Sequence, residues 1–179
     1  MNTPASLEMI QAQRVERFLQ VFGWVTDLLG RNVPAIVEMD DLRSLPPGTL
    51  GHAWAEHLDA NGLKPFGQGP RRQQLHDGVH VLTGYGTDPV GEAEVQAFLL
   101  GAKFRLANML IGLGLLRAIQ RQRRHKLLSL SQGEVRSRLM AAYHRGRNSQ
   151  FDPDAWQPET LWAHSLVDVR VAFGIGDSH

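Results

Sequence analysis

The sequence predicts an all-α fold, a single-domain bundle of helices with a long central apolar helix. Three observations predict it: apolar residues recur at helical spacing, candidate caps and breaks separate the helical stretches, and no stretch has a convincing strand pattern. The chain has 179 residues, which suits one domain with a real core. Within it we distinguish an N-terminal helical segment (1–44), a central core (45–119) and C-terminal helices (120–179).

The first half of the chain is predicted to contain four helices. In chain order they cover about residues 6–29, 34–45, 48–61 and 72–83. Ser6 is a candidate N-cap, Gly30 ends the first helix, and Asn61 with Gly62 is a ready terminator of the third. Residues 63–73 are rich in glycine and proline and are predicted to form a loop.

The second half of the chain begins after a glycine-rich break over residues 84–86. Asp88 followed by Pro89 is typical of an N-cap and a first helical residue, so the next helix is predicted to begin there. The helices predicted from this point cover about residues 90–119, 131–147 and 159–173. The first of them is long and strongly apolar in its second half, so we expect it to be buried, to face a partner or to contact a lipid.

The composition excludes several kinds of site. The chain has no cysteine, so disulfides, thiolate catalysis and cysteine-based zinc sites are ruled out. Any metal must then be held by histidine, aspartate, glutamate or backbone oxygen. The formal net charge of +1 gives no general case for nucleic acid, which we do not expect as a partner.

The apolar pattern also bears on location. The longest strongly apolar run, residues 106–116, is about half of the roughly 20 residues that a membrane-spanning helix needs. Residues 1–6 lack the basic start and apolar stretch of a secretory signal. We therefore expect a cytoplasmic protein that contacts the surface of the inner membrane. The apolar helix is also consistent with a homodimer.

His76 and His80 are the centre of the predicted functional site. They are four residues apart, so on a helix both side chains project from one face within reach of one ion. Asp77 can complete the coordination or orient a ligand, and the break after the helix can bring Glu92 opposite the pair. Two imidazoles with carboxylates suit zinc or iron better than magnesium or manganese, and they leave a position open for water or substrate. These four residues are our candidate metal ligands and catalytic residues.

Two other interpretations of the same residues stay open at this point. Two histidines at helical spacing are often only part of a polar helix face. An adjacent His-Asp pair also occurs in HD hydrolases, which need a further histidine upstream and an aspartate downstream. The residues that could take those roles are His52 or His57 and Asp152 or Asp154. His80 would then have no role, so the fit to a phosphohydrolase is loose.

Residues 76–92, HDGVHVLTGYGTDPVGE, have the pattern HDxxH followed by eleven residues and glutamate. This pattern resembles the signature of one coenzyme Q (ubiquinone) biosynthesis family. It is the family of the fourth protein in the pathway series. Residues 45–65, LPPGTLGHAWAEHLDANGLKP, and the segment around residues 162–175 resemble two further parts of that family. The resemblance covers about residues 45–104 well and both ends loosely.

The resemblance implies an all-helical fold, a divalent metal on the four candidate ligands and a role with polyprenyl molecules. Zinc is the expected metal, with magnesium, iron and manganese as the other options. The family is associated with organising the ubiquinone biosynthetic complex and with removing the ring carboxyl group while oxidising that carbon. We therefore expect a metal-dependent lyase or, as the alternative, a non-enzymatic prenyl-lipid-binding scaffold. The expected partners are a polyprenyl lipid or prenyl phosphate and other quinone-biosynthesis proteins.

Six further residues are predicted to bind the substrate. They are Arg71, Arg72, Tyr85, Leu106, Leu110 and Leu113. The two arginines lie one turn before the first histidine and could receive a phosphate or carboxylate. The tyrosine lies in the turn between the two ligand helices and could lean over the site. The three leucines are expected to line a tunnel for the prenyl chain, whose burial contributes about 25 cal/mol per Å² of apolar area.

Overall fold

The structure is a computed structural model that describes residues 32–124 and 130–176. The helices in this part of the chain are α1 (Met39–Ser44), α2 (Leu50–Ala60), α3 (Arg71–Gln74), α4 (His76–Thr83), α5 (Pro89–Ala102), α6 (Leu106–Arg124), α7 (Gln132–Asn148) and α8 (Leu166–Ala172). A 3-10 helix covers Pro158–Thr160, and the strands are β1 (Asn32–Pro34) and β2 (Gln68–Pro70). The predicted all-α class is confirmed. The helix predicted over about residues 6–29 lies outside the described residues.

The small antiparallel sheet has no counterpart among the predicted elements. It pairs Val33 with Gly69 at the centre of two three-residue strands, which are too short to show an alternating pattern. Gln74 joins the sheet to the helices: its amide nitrogen donates to three strand carbonyls, and its Oε1 accepts from the Ile36 N–H. The loop predicted over residues 63–73 is therefore wrong at its C-terminal end, where β2 and α3 lie.

The single long helix predicted over about residues 90–119 is wrong. A break divides it into α5 and α6, and Lys103 in the break has an extended backbone (φ −154°, ψ 112°). Both basic residues of the break pair with one acidic segment: Lys103 Nζ lies 2.7 Å from Asp152 Oδ2, and Arg105 pairs with Asp154. These partners are 49 residues further along the chain, so the local apolar pattern gave no sign of them.

Two other predicted helices are also divided. The helix predicted over about residues 72–83 is interrupted at Leu75 (φ −81°, ψ −10°), which separates α3 from α4. The helix predicted over about residues 159–173 is a 3-10 helix, a turn and α8. The turn is held in place because the carbonyls of Trp162 and His164 accept hydrogen bonds from the first two residues of α2.

The main core packs α2 against α4 through tryptophan side chains. Trp54 on α2 is fully buried, stacks on Trp156 with ring centroids 5.8 Å apart and meets Trp162 edge-on at 5.1 Å. Gly78 on α4 makes room for this ring, because a Cβ atom there would lie 2.1 Å from it. The absence of a side chain at this position lets α4 approach α2 closely along the stretch that carries both histidines.

Helices α5 and α7 cross closely at two glycines. A Cβ atom at Gly101 would lie 2.0 Å from the Tyr143 carbonyl oxygen, and one at Gly146 would lie 2.0 Å from the Phe98 carbonyl oxygen. The two backbones are therefore in direct contact at the crossing. This contact fixes the position of α5, the helix that carries Glu92.

Helix α6 packs on α5 with one side and leaves apolar residues at the surface on the other. Leu115 and Ile119 are buried, whereas Leu106, Leu110 and Leu113 are 59%, 54% and 46% exposed. The three leucines predicted to bind a prenyl chain thus share the outward side of α6. No helix in the described part of the chain is long and apolar enough to cross a membrane.

Candidate metal centre

The turn between α4 and α5 has the geometry that its glycines and Asp88 predict. Helix α4 ends at Gly84, whose positive φ of 75° suits glycine. The Asp88 side chain caps α5 by accepting from backbone N–H groups two and three residues on, and Pro89 takes the first helical position. A Cβ atom at Gly91 would lie 2.1 Å from the Gly86 carbonyl oxygen, so the turn can fold onto α5. The start of α5 is thereby brought back to α4.

Two arginines from the C-terminal part of the chain also hold the C-terminal end of α4. Arg170 donates from Nε to the Leu82 carbonyl at 2.9 Å and from Nη2 to the Val81 carbonyl at 3.0 Å. Arg145 donates from Nη1 to the Thr83 carbonyl at 2.7 Å. These carbonyls lie in the last turn of the helix, where no further helical N–H groups are available, and a positive charge there is favourable.

His76, His80 and Glu92 converge between the two helices. One ligand atom from each lies within 4.8 Å of the other two. Glu92 Oε1 is 3.4 Å from His80 Nε2, and Glu92 Oε2 is 3.4 Å from His76 Nε2. All three side chains are largely buried, His80 almost completely. The predicted convergence of the pair of histidines with Glu92 is therefore present in the structure.

The hydrogen bond of His80 determines which of its ring nitrogens faces the centre. Its Nδ1 lies 3.1 Å from the Tyr85 carbonyl oxygen, which can only accept, so Nδ1 carries the proton. In the neutral ring this leaves the lone pair of Nε2 directed toward Glu92. Neither His80 Nε2 nor Glu92 Oε2 makes a hydrogen bond in the described structure, although both atoms are buried. A proton on Nε2, or a metal ion between the two atoms, would satisfy both of them.

These residues fit a divalent metal ion. Imidazole nitrogen and carboxylate oxygen are the ligand atoms that zinc and related ions prefer in the absence of cysteine. A carbonyl that fixes the tautomer of a ligand histidine is also a usual feature of metal sites. The group His76, His80 and Glu92 could thus hold a metal ion, as the sequence predicts. The identity of that ion stays a prediction.

Asp77, the fourth predicted ligand, lies beside His76 and outside the group of three. Its Oδ1 is 3.8 Å from Nδ1 of His76, on the opposite side of the ring from the nitrogen that faces Glu92. The structure therefore places Asp77 where it can orient His76, one of the two roles predicted for it. Direct coordination by Asp77 stays a prediction.

The charges of the centre change the acidity of its members. Burial alone would lower the pKa of His76, but the carboxylates of Glu92 and Asp77 raise it to about 10. Burial alone would raise the pKa of Glu92, but His76 and His80 lower it to about 2. The centre thus favours a negative carboxylate next to a protonated imidazole, and a bound metal ion would take the place of that proton because ligand histidines must be neutral.

His57 of α2 is a further member of this region, which the metal prediction did not include. Its ring stacks on that of His80, with centroids 5.6 Å apart and planes at 19°. Burial, followed by the nearby His80, lowers the pKa of His57. Its Nε2 is buried and makes no hydrogen bond in the described part of the chain. The available sequence signal was its position among Leu50, Trp54 and Leu58 on one helical face.

The predicted substrate-binding residues outside α6 have protein partners in the structure. Arg71 forms a two-pronged ion pair with Glu159, with distances of 2.5 and 2.7 Å. Arg72 Nε lies 3.5 Å from Asp154 Oδ1. The guanidinium carbon of Arg145 lies 5.2 Å from the centroid of the Tyr85 ring. A role of these residues in substrate binding stays a prediction.

The downstream aspartates of the hydrolase interpretation are engaged elsewhere. Asp152 and Asp154 pair with Lys103 and Arg105 at the break between α5 and α6. Neither belongs to the group among the described residues that could hold a metal ion. The arrangement at the centre is two histidines and a glutamate on consecutive helices.

The chain is similar in sequence to curated ubiquinone biosynthesis proteins that are described as mitochondrial. Over 76 residues it is 33% identical to the COQ4 homolog of Bos taurus, a match that covers 35% of this chain and 29% of that protein. Over 71 residues it is 35% identical to the COQ4 protein of Podospora anserina, covering 32% and 24%. Over 163 residues it is 28% identical to the COQ4 homolog of Xenopus laevis, covering 78% and 51%.

The chain resembles the COQ4 ubiquinone biosynthesis proteins. This finding confirms the resemblance inferred from residues 76–92. The matches span about a quarter to about half of the lengths of these COQ4 relatives. No protein-family model matches the chain.

The fold is also found in a solved structure. The crystal structure of a protein from Nostoc punctiforme PCC 73102, provisionally assigned to ubiquinone biosynthesis, matches with a TM-score of 0.66 and 23% identity. The match covers 81% of this chain and 71% of that chain. At this level of identity it shows a shared fold.

Proposed function

We propose that this COQ4-like chain acts in ubiquinone biosynthesis and binds a polyprenyl quinone precursor next to a divalent metal held by His76, His80 and Glu92. The observation that carries the proposal is the convergence of three ligand atoms within 4.8 Å of one another. These residues lie in the segment whose pattern resembles the ubiquinone family. The names of the relatives suggest the pathway, and the geometry suggests the kind of site.

At this centre the chain would catalyse oxidative decarboxylation of the prenylated benzoate ring. The bond between the ring carbon and its carboxyl group breaks and carbon dioxide leaves. The same carbon gains a hydroxyl group whose oxygen comes from water, while dioxygen takes up the two electrons and two protons released and becomes hydrogen peroxide. A bound divalent ion supplies Lewis-acid stabilisation of the negative charge that develops on the ring oxygens. Two imidazoles and a carboxylate favour zinc, with iron, manganese and magnesium as the alternatives.

The residues of the chain hold and orient the parts of this site. The Tyr85 carbonyl keeps the Nε2 of His80 directed at the centre, and Asp77 lies where it can orient His76. His57 covers one face of the His80 ring. A ligand ring bound here would be held by remote contacts of its prenyl tail, which we place along the apolar residues of α6.

The exposed side of α6 favours a second candidate function. Leu106, Leu110 and Leu113 are about half exposed and lie on one side of the helix. A non-enzymatic prenyl-lipid-binding or scaffold protein would use such a surface without turnover, with the metal binding a prenyl phosphate head group. It would work with other quinone-biosynthesis proteins, as a homodimer, at the surface of the inner membrane.

Metal binding is tested with a substitution that removes the charge of one ligand. Glu92→Gln keeps the shape of the side chain, and we expect the affinity for zinc to fall at least about 100-fold, because a ligand matters more than the groups that orient it. Glu94→Gln is the matched control, since Glu94 lies two residues away on α5 and pairs with Arg138. Zinc content by elemental analysis and affinity by competition titration are the measurements. Equal zinc affinity in both variants would contradict the site.

Catalysis is tested separately by turnover. The metal-loaded protein is incubated with a prenylated hydroxybenzoate and dioxygen, and released carbon dioxide and ring products are measured by mass spectrometry. The enzyme proposal expects turnover by the wild type and loss of turnover in His80→Ala and in metal-free protein. Equal rates in all three would overturn a catalytic role for the centre. Tight binding of the isoprenoid without turnover would favour the scaffold candidate.

A further inference from the structure

Two buried amide side chains between α5 and α6 have atoms without hydrogen-bond partners in the described part of the chain. Gln96 of α5 is 1% exposed, and neither its Oε1 nor its Nε2 makes a hydrogen bond. Asn108 of α6 is 6% exposed, and its Nδ2 makes none. The two amides therefore do not bond to each other, and the Gln96 amide bonds to no group in the described part of the chain. They offer two donors and one acceptor that the protein does not use.

One of these amides, that of Gln96, lies close to the metal centre. Gln96 is one helical turn after Glu92 on α5, so the two side chains share a face and are separated by about 6 Å along the helix axis. On α6, Gly112 faces Gln96, since a Cβ atom at Gly112 would lie 3.8 Å from the Gln96 Cβ. Asn108 precedes Gly112 by one turn and so faces the same interface.

A second buried glutamine in the same chain, Gln74, shows by comparison how unusual a buried amide without hydrogen bonds is. Gln74 is 4% exposed, and its amide bonds to four backbone groups around the small sheet. Its burial is compensated by these bonds, as is usual for buried polar groups. The amide of Gln96 has no such compensation, and an apolar residue would pack between α5 and α6 at lower cost. Gln96 therefore suits an interface that receives polar groups from outside the chain.

We propose that Gln96 and Asn108 form a polar subsite that binds the oxygen substituents of an aromatic ring whose carboxyl group lies at the metal centre. The Gln96 Oε1 accepts from a phenolic hydroxyl, and the two amide nitrogens donate to ring oxygens. Both side chains are uncharged, so the subsite selects neutral oxygen groups, such as a phenol or a quinone carbonyl, over a phosphate. Glu92 and Gln96 are one helical turn apart, about 6 Å along the helix axis. This spacing corresponds to the distance between the carboxyl group and an oxygen substituent at the opposite end of one aromatic ring. The inference rests on the proposed function for the position of the carboxyl group.

The test compares two probes that differ only at the far end of the ring. 4-Hydroxybenzoate carries the hydroxyl group that the subsite would bind, and 4-methylbenzoate has a methyl group there. We expect the zinc-loaded wild type to bind 4-hydroxybenzoate about tenfold more tightly by ligand-observed NMR titration. Gln96→Leu should abolish this preference and keep or raise the melting temperature, since it removes an unpartnered amide. Asn108→Leu should reduce the preference as well.

Gln74→Leu is the matched control. It removes the same kind of side chain at similar burial, so it should lower the melting temperature and leave the preference unchanged. The inference is overturned if the wild type binds neither probe, if it shows no preference, or if both leucine variants at positions 96 and 108 retain it. Glu92→Gln separates the two proposals. If it binds both probes as tightly as the wild type while Gln96→Leu still loses the preference, the polar subsite stands and the proposed function fails.

Discussion

In the metal centre, His80 donates from Nδ1 to the Tyr85 carbonyl, and this one hydrogen bond determines which ring nitrogen can bind an ion. The spacing of the two histidines predicts that both face one side of α4, but it does not specify the tautomer. The carbonyl that specifies it belongs to the turn after the helix. At the scale of single residues, the chemistry of a side chain here depends on a backbone atom five positions away.

The ion pair between Arg71 and Glu159 has a contribution to stability that depends on pH. The hydrogen bond from Arg71 holds the pKa of Glu159 below its usual value. A carboxyl group with a lower pKa in the folded state stabilises the fold above its unfolded pKa of about 4.3, and this contribution is lost as the pH falls through the folded pKa. We expect Glu159→Gln to lower the free energy of unfolding by about 1 kcal/mol or less at neutral pH.

The measurement is urea unfolding of the wild type and Glu159→Gln from neutral pH down to about pH 3. The difference between the two proteins should shrink once the pH is below about 4. A difference that stays constant over the whole range would show that the charge of Glu159 does not stabilise the fold.

At the scale of elements, the close approach of α2 and α4 depends on the missing side chain at Gly78. A Cβ atom there would lie 2.1 Å from the Trp54 ring, which is itself stacked on Trp156 and cannot move freely. We expect Gly78→Ala to destabilise the protein by about 1–3 kcal/mol through overpacking, despite the better helix propensity of alanine. The free energy of unfolding in urea is the measurement.

Gly114→Ala is the control for this prediction. Gly114 also lies inside a helix, but a Cβ atom at this position would meet nothing within 4 Å. Alanine should therefore stabilise α6 by about 0.5–1 kcal/mol. If both substitutions changed the free energy of unfolding in the same direction, the contact with Trp54 would not be the cause.

The helix starts that were predicted well are those that depend on adjacent residues. Asp88 with Pro89 begins α5, and Ser131 with Glu134 forms a capping box at the start of α7. The break between α5 and α6 was not predicted, because it is held by Lys103 and its partner Asp152, 49 residues away. A local pattern can indicate where a helix can begin, but it cannot report an ion pair made after folding.

At the scale of the whole molecule, the metal centre depends on contacts from the C-terminal part of the chain. Arg170 donates to the carbonyls of Val81 and Leu82 in the last turn of α4, and Arg145 donates to Thr83. We expect Arg170→Ala to lower the affinity for zinc about tenfold without changing any ligand, because α4 is held less firmly. Zinc competition titration, with the melting temperature alongside, is the measurement.

Arg147→Ala is the comparison for this variant, since Arg147 is an exposed arginine of α7. Its zinc affinity should equal that of the wild type. If Arg170→Ala bound zinc as tightly as Arg147→Ala, the hydrogen bonds from Arg170 to α4 would contribute to the stability of the fold and not to zinc binding.

The metal centre could be predicted from sequence because its three converging residues lie on consecutive helices with a recognisable turn between them. His57 and the amides of Gln96 and Asn108 could not be assigned in the same way. Their significance depends on what faces them across helix interfaces. His57 faces His80, whereas the Gln96 amide and the Asn108 Nδ2 have no hydrogen-bond partner in the described part of the chain. A buried amide looks the same in a sequence whether or not it has a partner.

The arginine cap on α4 also has a consequence for the order of events during synthesis. Arg170 lies 88 residues beyond the Leu82 carbonyl that it binds. A ribosome-bound chain that ends soon after Glu92 already contains all three converging residues, but the end of their helix is not yet held. Because domains fold as units once their sequence has emerged, the centre reaches its final geometry only when the last helix is made. We therefore expect the three residues to bind a metal ion only after α8 has been made.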